Sequence, residues 1–193
     1  MASQEAALRQ PRVLLTAEEI DATVARLASD MSARYHDGVV LIGVLRGSVP
    51  FLADLVRVMT VPVSVDFMAI TPYTPGSGRV RLLKDLDLDI AGRDAVIVED
   101  IVDTGLSTAF LRRELERRNP RSVAVCTLLD RRIRRVVPVE IDFAGVEVAD
   151  AFVVGYGLDH EGRYRNLRLV AAADVELLAD DPDVYVPVFY GSP

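Results

Sequence analysis

Apolar residues recur along this chain in two alternating periods. Thr16 and Glu19 have the spacing of a capping box, and Ile20, Val24, Leu27 and Met31 follow at helical intervals, which predicts a first helix to about Tyr35. Val39 to Leu45 is an unbroken, β-branched run and reads as a buried strand. Arg46, Gly47 and Ser48 interrupt it before a second helical pattern carrying Phe51, Leu52, Leu55, Val56 and Met59. Val63, Val65 and Phe67 alternate as a strand leading into a loop around Pro72 and Pro75, from which Val80 to Leu83 can return as a paired strand. Ala95 to Val98 is another buried strand; the helical stretch Ala109 to Arg118 ends at Asn119-Pro120, and the strand Val123 to Leu129 follows.

Strands that alternate with helices predict an α/β fold, with a mainly parallel central sheet flanked by helices. Ligands of such sheets bind at the carboxyl ends of the strands, which directs attention to the loops after Leu45, Val98 and Phe152. No repeat or low-complexity linker divides the 193 residues, so they are expected to form a single domain, with 1–11 as a flexible tail and 71–79 as a flexible lid.

Composition narrows the function classes. Half of the residues are hydrophobic and 26% are charged, and the mean hydropathy is +0.23, values of an ordinary globular chain. The longest apolar runs are far shorter than the roughly 20 residues that cross a bilayer, and the start of the chain is polar, so a cytoplasmic protein without a membrane partner is expected. A net charge of −7 argues against a sequence-independent grip on nucleic acid, although arginines cluster between Arg112 and Arg135. Only one of the 22 basic side chains is lysine, Lys84. The single cysteine, Cys126, lies in an apolar run and reads as a buried thiol, while His36 and His160 have no zinc-ligand spacing.

The strongest local signal is the stretch from Val96 to Thr108, VIVEDIVDTGLST, in which a buried strand, two acids, two aliphatics and a third acid lead to a small, hydroxyl-rich turn opening a helix. Thr104, Gly105, Ser107 and Thr108 can offer N–H groups and hydroxyls to a phosphate at the helix N-terminus, where the macrodipole favours an anion. Glu99 and Asp100, at the end of the strand, are acceptor-only carboxylates suited to sugar hydroxyls, directly or through a divalent ion, and Asp103 could act as general acid or base. A helix cap beside solvated acids is the plainer alternative. The stretch has neither the glycine-lysine pattern of nucleotide triphosphatases nor the glycine pattern of dinucleotide sites.

Val98 to Thr108 resembles the phosphoribosyl pyrophosphate motif of type I phosphoribosyltransferases. Leu45-Arg46-Gly47, Val65-Asp66-Phe67, the segment from Leu128 to Arg132 and that from Phe152 to Asp159 are similar, in order and spacing, to segments of the hypoxanthine-guanine branch, so the resemblance spans about Val39 to Val170. It implies the fold of that family, with a small hood and a lid hairpin, and Mg²⁺-dependent transfer of phosphoribose from phosphoribosyl pyrophosphate to hypoxanthine or guanine by a homodimer or homotetramer. The loop Thr104 to Thr108, Leu106 included, would hold the 5′-phosphate. Arg46 and Gly47 would bind pyrophosphate after a non-proline cis peptide from Leu45, and Arg165 would also hold pyrophosphate. Phe152 would stack on the purine, Val153 would meet its edge, and Asp159 would ligate magnesium at the base side of the site, with Glu99 and Asp100 near the ion and His160 beside it.

The chain departs from this pattern at two positions. Arg131 stands where the family usually has a lysine that reads the exocyclic oxygen of the purine. The lid reads Pro72-Tyr73 where a Ser-Tyr pair is usual, leaving Tyr73 as its catalytic residue. Xanthine or a non-standard heterocycle as acceptor, and a regulator that senses phosphoribosyl pyrophosphate with little catalysis, remain the alternative readings.

Overall fold

A computed structural model describes residues 10–71 and 80–191. The chain divides into two compact units, one formed by the described residues 22–150 and the other by 10–21 with 151–191.

The larger unit is built on a six-stranded sheet. In chain order its strands are β2 (Val39–Val44), β3 (Val63–Ile70), β4 (Leu82–Lys84), β5 (Asp94–Val102), β6 (Ser122–Asp130) and β7 (Phe143–Glu147), and the spatial order is β4-β3-β2-β5-β6-β7. All pairings are parallel except that of β4 with β3. Helix α1 (Ala17–Arg34) precedes the sheet, α2 (Val49–Val58) links β2 to β3, and α3 (Leu106–Glu116) links β5 to β6. Every residue of β2 is buried, as are Ala95 to Glu99 of β5 and Ala124 to Asp130 of β6, as befits central strands covered on both faces. Val40, Ile42, Ile97, Leu111, Leu115 and Val125 form the heart of this core.

The expected capping box closes the start of α1: the Thr16 amide donates to Glu19 Oε2 at 2.8 Å and the Glu19 amide to Thr16 Oγ1 at 3.3 Å. The return strand expected at Val80 to Leu83 lies at Leu82–Lys84, paired through Ala69 with Lys84 and Ile70 with Leu82. The loop tip at 72–79, with Pro72 and Tyr73, lies outside the described residues, as does the tail except for Gln10 and Pro11.

The smaller unit carries an antiparallel sheet of β1 (Arg12–Leu15), β9 (Val170–Ala173) and β8 (Phe152–Val154), in that spatial order. Two short helices follow, α4 (Val175–Asp180) and α5 (Val186–Tyr190). Asp174 caps α4 by accepting from the amides of Glu176 and Leu177. Val154, Tyr164, Leu167, Leu178 and Tyr185 form its core, where the Tyr164 hydroxyl donates to the Pro182 carbonyl at 2.7 Å. Among the described residues no helix is long and apolar enough to cross a membrane.

Candidate active site

The acids expected at the end of a strand are inside it. Glu99 lies opposite Thr127, Ile101 opposite Leu129 and Val102 opposite Asp130, so β5 continues past Val98 and the connecting loop shrinks to Asp103, Thr104 and Gly105. The cause is the ladder with β6, whose own extension to Asp130 supplies partners that outweigh the weak strand preference of the acids. The next helix likewise starts at Leu106, before the expected Ala109.

Glu99 is buried, and that burial pushes its carboxyl well above the usual range; the charge of Asp100 pushes the same way, and a hydrogen bond from the Thr108 hydroxyl works against both. Thr108 is itself buried and its hydroxyl faces Glu99, so what it presents at the helix start is its backbone N–H rather than the expected hydroxyl. Leu106, Ser107 and Thr108 form the first turn of α3, where amides have no intrahelical acceptor; the Leu106 amide reaches Thr104 Oγ1 at 3.4 Å. Gly105 precedes that turn at φ 81°, a left-handed conformation, and a Cβ there would lie 2.6 Å from the Val137 carbonyl oxygen.

On the neighbouring strand β2, the chain turns through a cis Leu45–Arg46 peptide into α2. Gly47 is buried, and a Cβ there would overlap the Asp100 carboxylate, so only glycine fits this approach. Arg46 is exposed, with no side-chain partner among the described residues.

Asp103 leaves β5 with its two carboxylate oxygens in different states. Oδ2 lies 3.3 Å from Nη1 of Arg131, whose side chain is only 7% exposed, whereas Oδ1 is buried without a hydrogen-bond partner among the described residues. Behind the loop, the segment after β6 takes up the carbonyls. The amide of Arg131 donates to the Val102 carbonyl at 3.0 Å, and those of Val136 and Val137 donate to the Thr104 carbonyl at 2.9 and 3.0 Å. Arg135 donates through Nε to the Asp103 carbonyl at 2.9 Å and through Nη2 to the Val102 carbonyl and the Asp130 carboxylate. Sequence reasoning passed over Arg135, which carries no signal beyond membership of an arginine cluster.

That cluster is largely neutralised within the fold. Arg112 pairs with Asp142 and Glu116, Arg117 with Glu114, Arg118 with Asp85, Arg121 with Asp94, and Arg134 with Asp150.

The smaller unit holds the remaining expected residues. Phe152 and Val153 lie in β8, and the Phe152 ring meets the edge of His160 at 5.8 Å between centroids. The carboxylate of Asp159 accepts from Arg165 Nη2 at 2.6 Å and from the Gly162 amide at 2.7 Å, and Arg165 Nη1 donates to the Gly157 carbonyl at 2.6 Å. Nε2 of His160 is buried without a partner among the described residues.

Of the three carboxylates expected near a divalent ion, Glu99 is the one whose carboxyl is held above the usual range, chiefly by burial. Asp100 and Asp159 are hard oxygen donors of the kind magnesium takes. Among the described residues no three acidic, histidine or cysteine side chains gather into a metal group.

Residues 14–161 match the phosphoribosyl transferase domain family. The hypoxanthine-guanine phosphoribosyltransferase of Mycobacterium tuberculosis is 47% identical over 172 residues, covering 84% of this chain and 85% of that protein. The hypoxanthine phosphoribosyltransferase of Escherichia coli K12 is 46% identical over 161 residues, covering 80% and 90%. Among solved structures, a hypoxanthine-guanine phosphoribosyltransferase from Bacillus anthracis superimposes with a TM-score of 0.81 at 37% identity, covering 84% of this chain and 98% of that one. A hypoxanthine phosphoribosyltransferase from Staphylococcus aureus gives 0.82 at 35% identity, covering 86% and 92%.

Proposed function

Because this chain belongs to the phosphoribosyltransferase family, as a pentosyltransferase of the hypoxanthine-guanine type, we propose that it transfers phosphoribose from phosphoribosyl pyrophosphate to hypoxanthine or guanine in a Mg²⁺-dependent reaction, releasing pyrophosphate and IMP or GMP. The observation that supports this reading is Asp103, whose Oδ1 is buried without a hydrogen-bond partner among the described residues, beside Arg131 and at the loop that leads into the N-terminus of α3.

In this reading the amides of Thr104 to Thr108 hold the 5′-phosphate, and Asp100, with Glu99 behind it, receives the ribose hydroxyls. Phe152 stacks on the base, the main chain of Val153 meets its edge, and Arg131 reads the exocyclic oxygen. The bond from C1′ to the pyrophosphate oxygen breaks as that from C1′ to the purine nitrogen forms, and Asp103 handles the proton of the base. Arg46 and Arg165 offset the charge of the departing pyrophosphate, and Tyr73 on the lid excludes water. Magnesium, when bound, neutralises the same leaving group, and Asp159 and Asp100 are the carboxylates that would hold it. A homodimer or homotetramer is the assembly proposed.

A second reading, transfer to xanthine or a non-standard heterocycle, is favoured by Arg131, whose planar fork donates two parallel hydrogen bonds where a lysine offers a point charge. Both readings are tested by pyrophosphate release with hypoxanthine, guanine, xanthine and adenine supplied separately, with and without Mg²⁺. Hypoxanthine and guanine are expected to turn over, and Asp103→Asn to lower kcat by about 10²–10⁴-fold. Turnover confined to xanthine would move the assignment to the second reading, and no turnover with any of the four bases would sink the first and turn attention to a non-standard heterocycle or to a regulator that senses phosphoribosyl pyrophosphate.

A further inference from the structure

A trans peptide points its carbonyl and the following N–H to opposite sides. Across the loop, three successive carbonyls are tied to one neighbouring segment. That of Val102 accepts from the Arg131 amide and Arg135 Nη2, that of Asp103 from Arg135 Nε, and that of Thr104 from the amides of Val136 and Val137. The N–H groups of Asp103, Thr104 and Gly105 are thereby aimed away from that segment, in the three residues that lead into α3. Carbonyl oxygens that would repel a phosphate are turned toward the segment by the same bonds.

One side chain, that of Arg135, makes two of these five bonds and reaches two of the three carbonyls. The guanidinium of Arg135 also donates to the Val139 carbonyl at 3.5 Å and is paired with Asp130, a carboxylate 3% exposed that takes a further bond from Arg132 Nε at 2.8 Å. Arg132 is paired in turn with Glu147 at 3.7 Å, so behind the loop two arginines face two carboxylates. Hydrogen bonds from an ionised donor are the strong ones, and a planar fork with fixed directions can reach acceptors on several residues where an ammonium cannot.

We propose that Arg135 is a positioning residue for phosphoribosyl transfer: by holding the carbonyls of Val102 and Asp103, and by placing the amides that hold Thr104, it keeps the loop N–H groups preformed as a cradle for the 5′-phosphate. This rests on the reading that the loop binds phosphoribosyl pyrophosphate. Arg135 itself touches only the protein, so its effect falls on affinity for the phosphorylated sugar rather than on the base.

The test compares wild type with Arg135→Lys and Arg135→Gln, measuring kcat, KM for phosphoribosyl pyrophosphate, KM for hypoxanthine, and calorimetric affinity for ribose 5-phosphate. Loss of one or two charge-assisted bonds predicts that KM for phosphoribosyl pyrophosphate and Kd for ribose 5-phosphate rise by about tenfold or more in both variants. KM for hypoxanthine is expected to change by less than about threefold. A purely structural role would reduce the fraction of active enzyme and leave the ribose 5-phosphate Kd of the folded remainder unchanged, and that result overturns the proposal. If both variants are unfolded, Asp130→Asn decides, since Arg135 remains and loses one anchor; an unchanged ribose 5-phosphate Kd there also overturns it. Wild type that neither binds ribose 5-phosphate nor turns over a base would instead defeat the functional reading beneath it.

Discussion

Asp66 shows at the scale of one residue how a buried charge is made tolerable. Its side chain is 5% exposed, and burial opposes ionisation, yet the amides of Leu88, Phe67 and Asp87 and the ammonium of Lys84 more than offset this, so its pKa lies below the usual range. A carboxyl depressed in the folded state contributes stability above its unfolded pKa of about 3.9, and that contribution is lost as pH falls through the folded value. Asp66→Asn is therefore expected to cost about 2 kcal/mol at pH 7, with the gap from wild type closing toward pH 3, as thermal melts across that range would read. A gap independent of pH would mean that shape rather than charge holds the 84–88 turn. The sequence offered Asp66 only as part of a family-like Val-Asp-Phe segment; two of its donors, the amides of Asp87 and Leu88, lie 21 and 22 positions further along the chain, out of reach of any local pattern. Arg135 was hidden for the same reason, since its partners Asp103 and Val102 lie 32 and 33 positions earlier.

At the scale of elements, periodicity made the central strands and the first three helices legible, because each has one strong pattern and a chemical stop signal. The capping box is the clearest case, and Thr16→Ala is expected to cost about 1 kcal/mol and lower Tm by roughly 2–4 °C in a calorimetric scan. An unchanged Tm would mean that packing alone sets where α1 begins. What escaped sequence reading were elements defined by partners. β7 contains Gly145, where a Cβ would strike the Leu128 carbonyl, and it ends on Glu147, so it lacks the apolar run that marked β2. β5 was read too short because Glu99 and Asp100 look like loop residues until β6 is set beside them. The candidate site was legible as a motif, whereas its division into a strand-borne acid pair and a three-residue loop was not.

At the scale of the whole molecule, the chain is arranged so that its most chemically loaded turn grows from the middle of the six-stranded sheet, between β2 and β6. The chain carries a net charge of −7, and most arginines of the one dense cluster are held by carboxylates. The bonds that hold the Asp103 and Thr104 carbonyls come from residues beyond β6, and this fixes an order of assembly. The turn cannot take its final form until α3 has crossed over and β6 has docked on β5, a step that closes a loop of about 30 residues before any contact rewards it. On dilution from denaturant, helical circular dichroism should therefore return before affinity for ribose 5-phosphate, and stopped-flow measurement of the two signals should separate them in time. Simultaneous recovery would mean that the turn is shaped locally. The part of the molecule that came first to notice in the sequence is thus the part that the folding chain completes late.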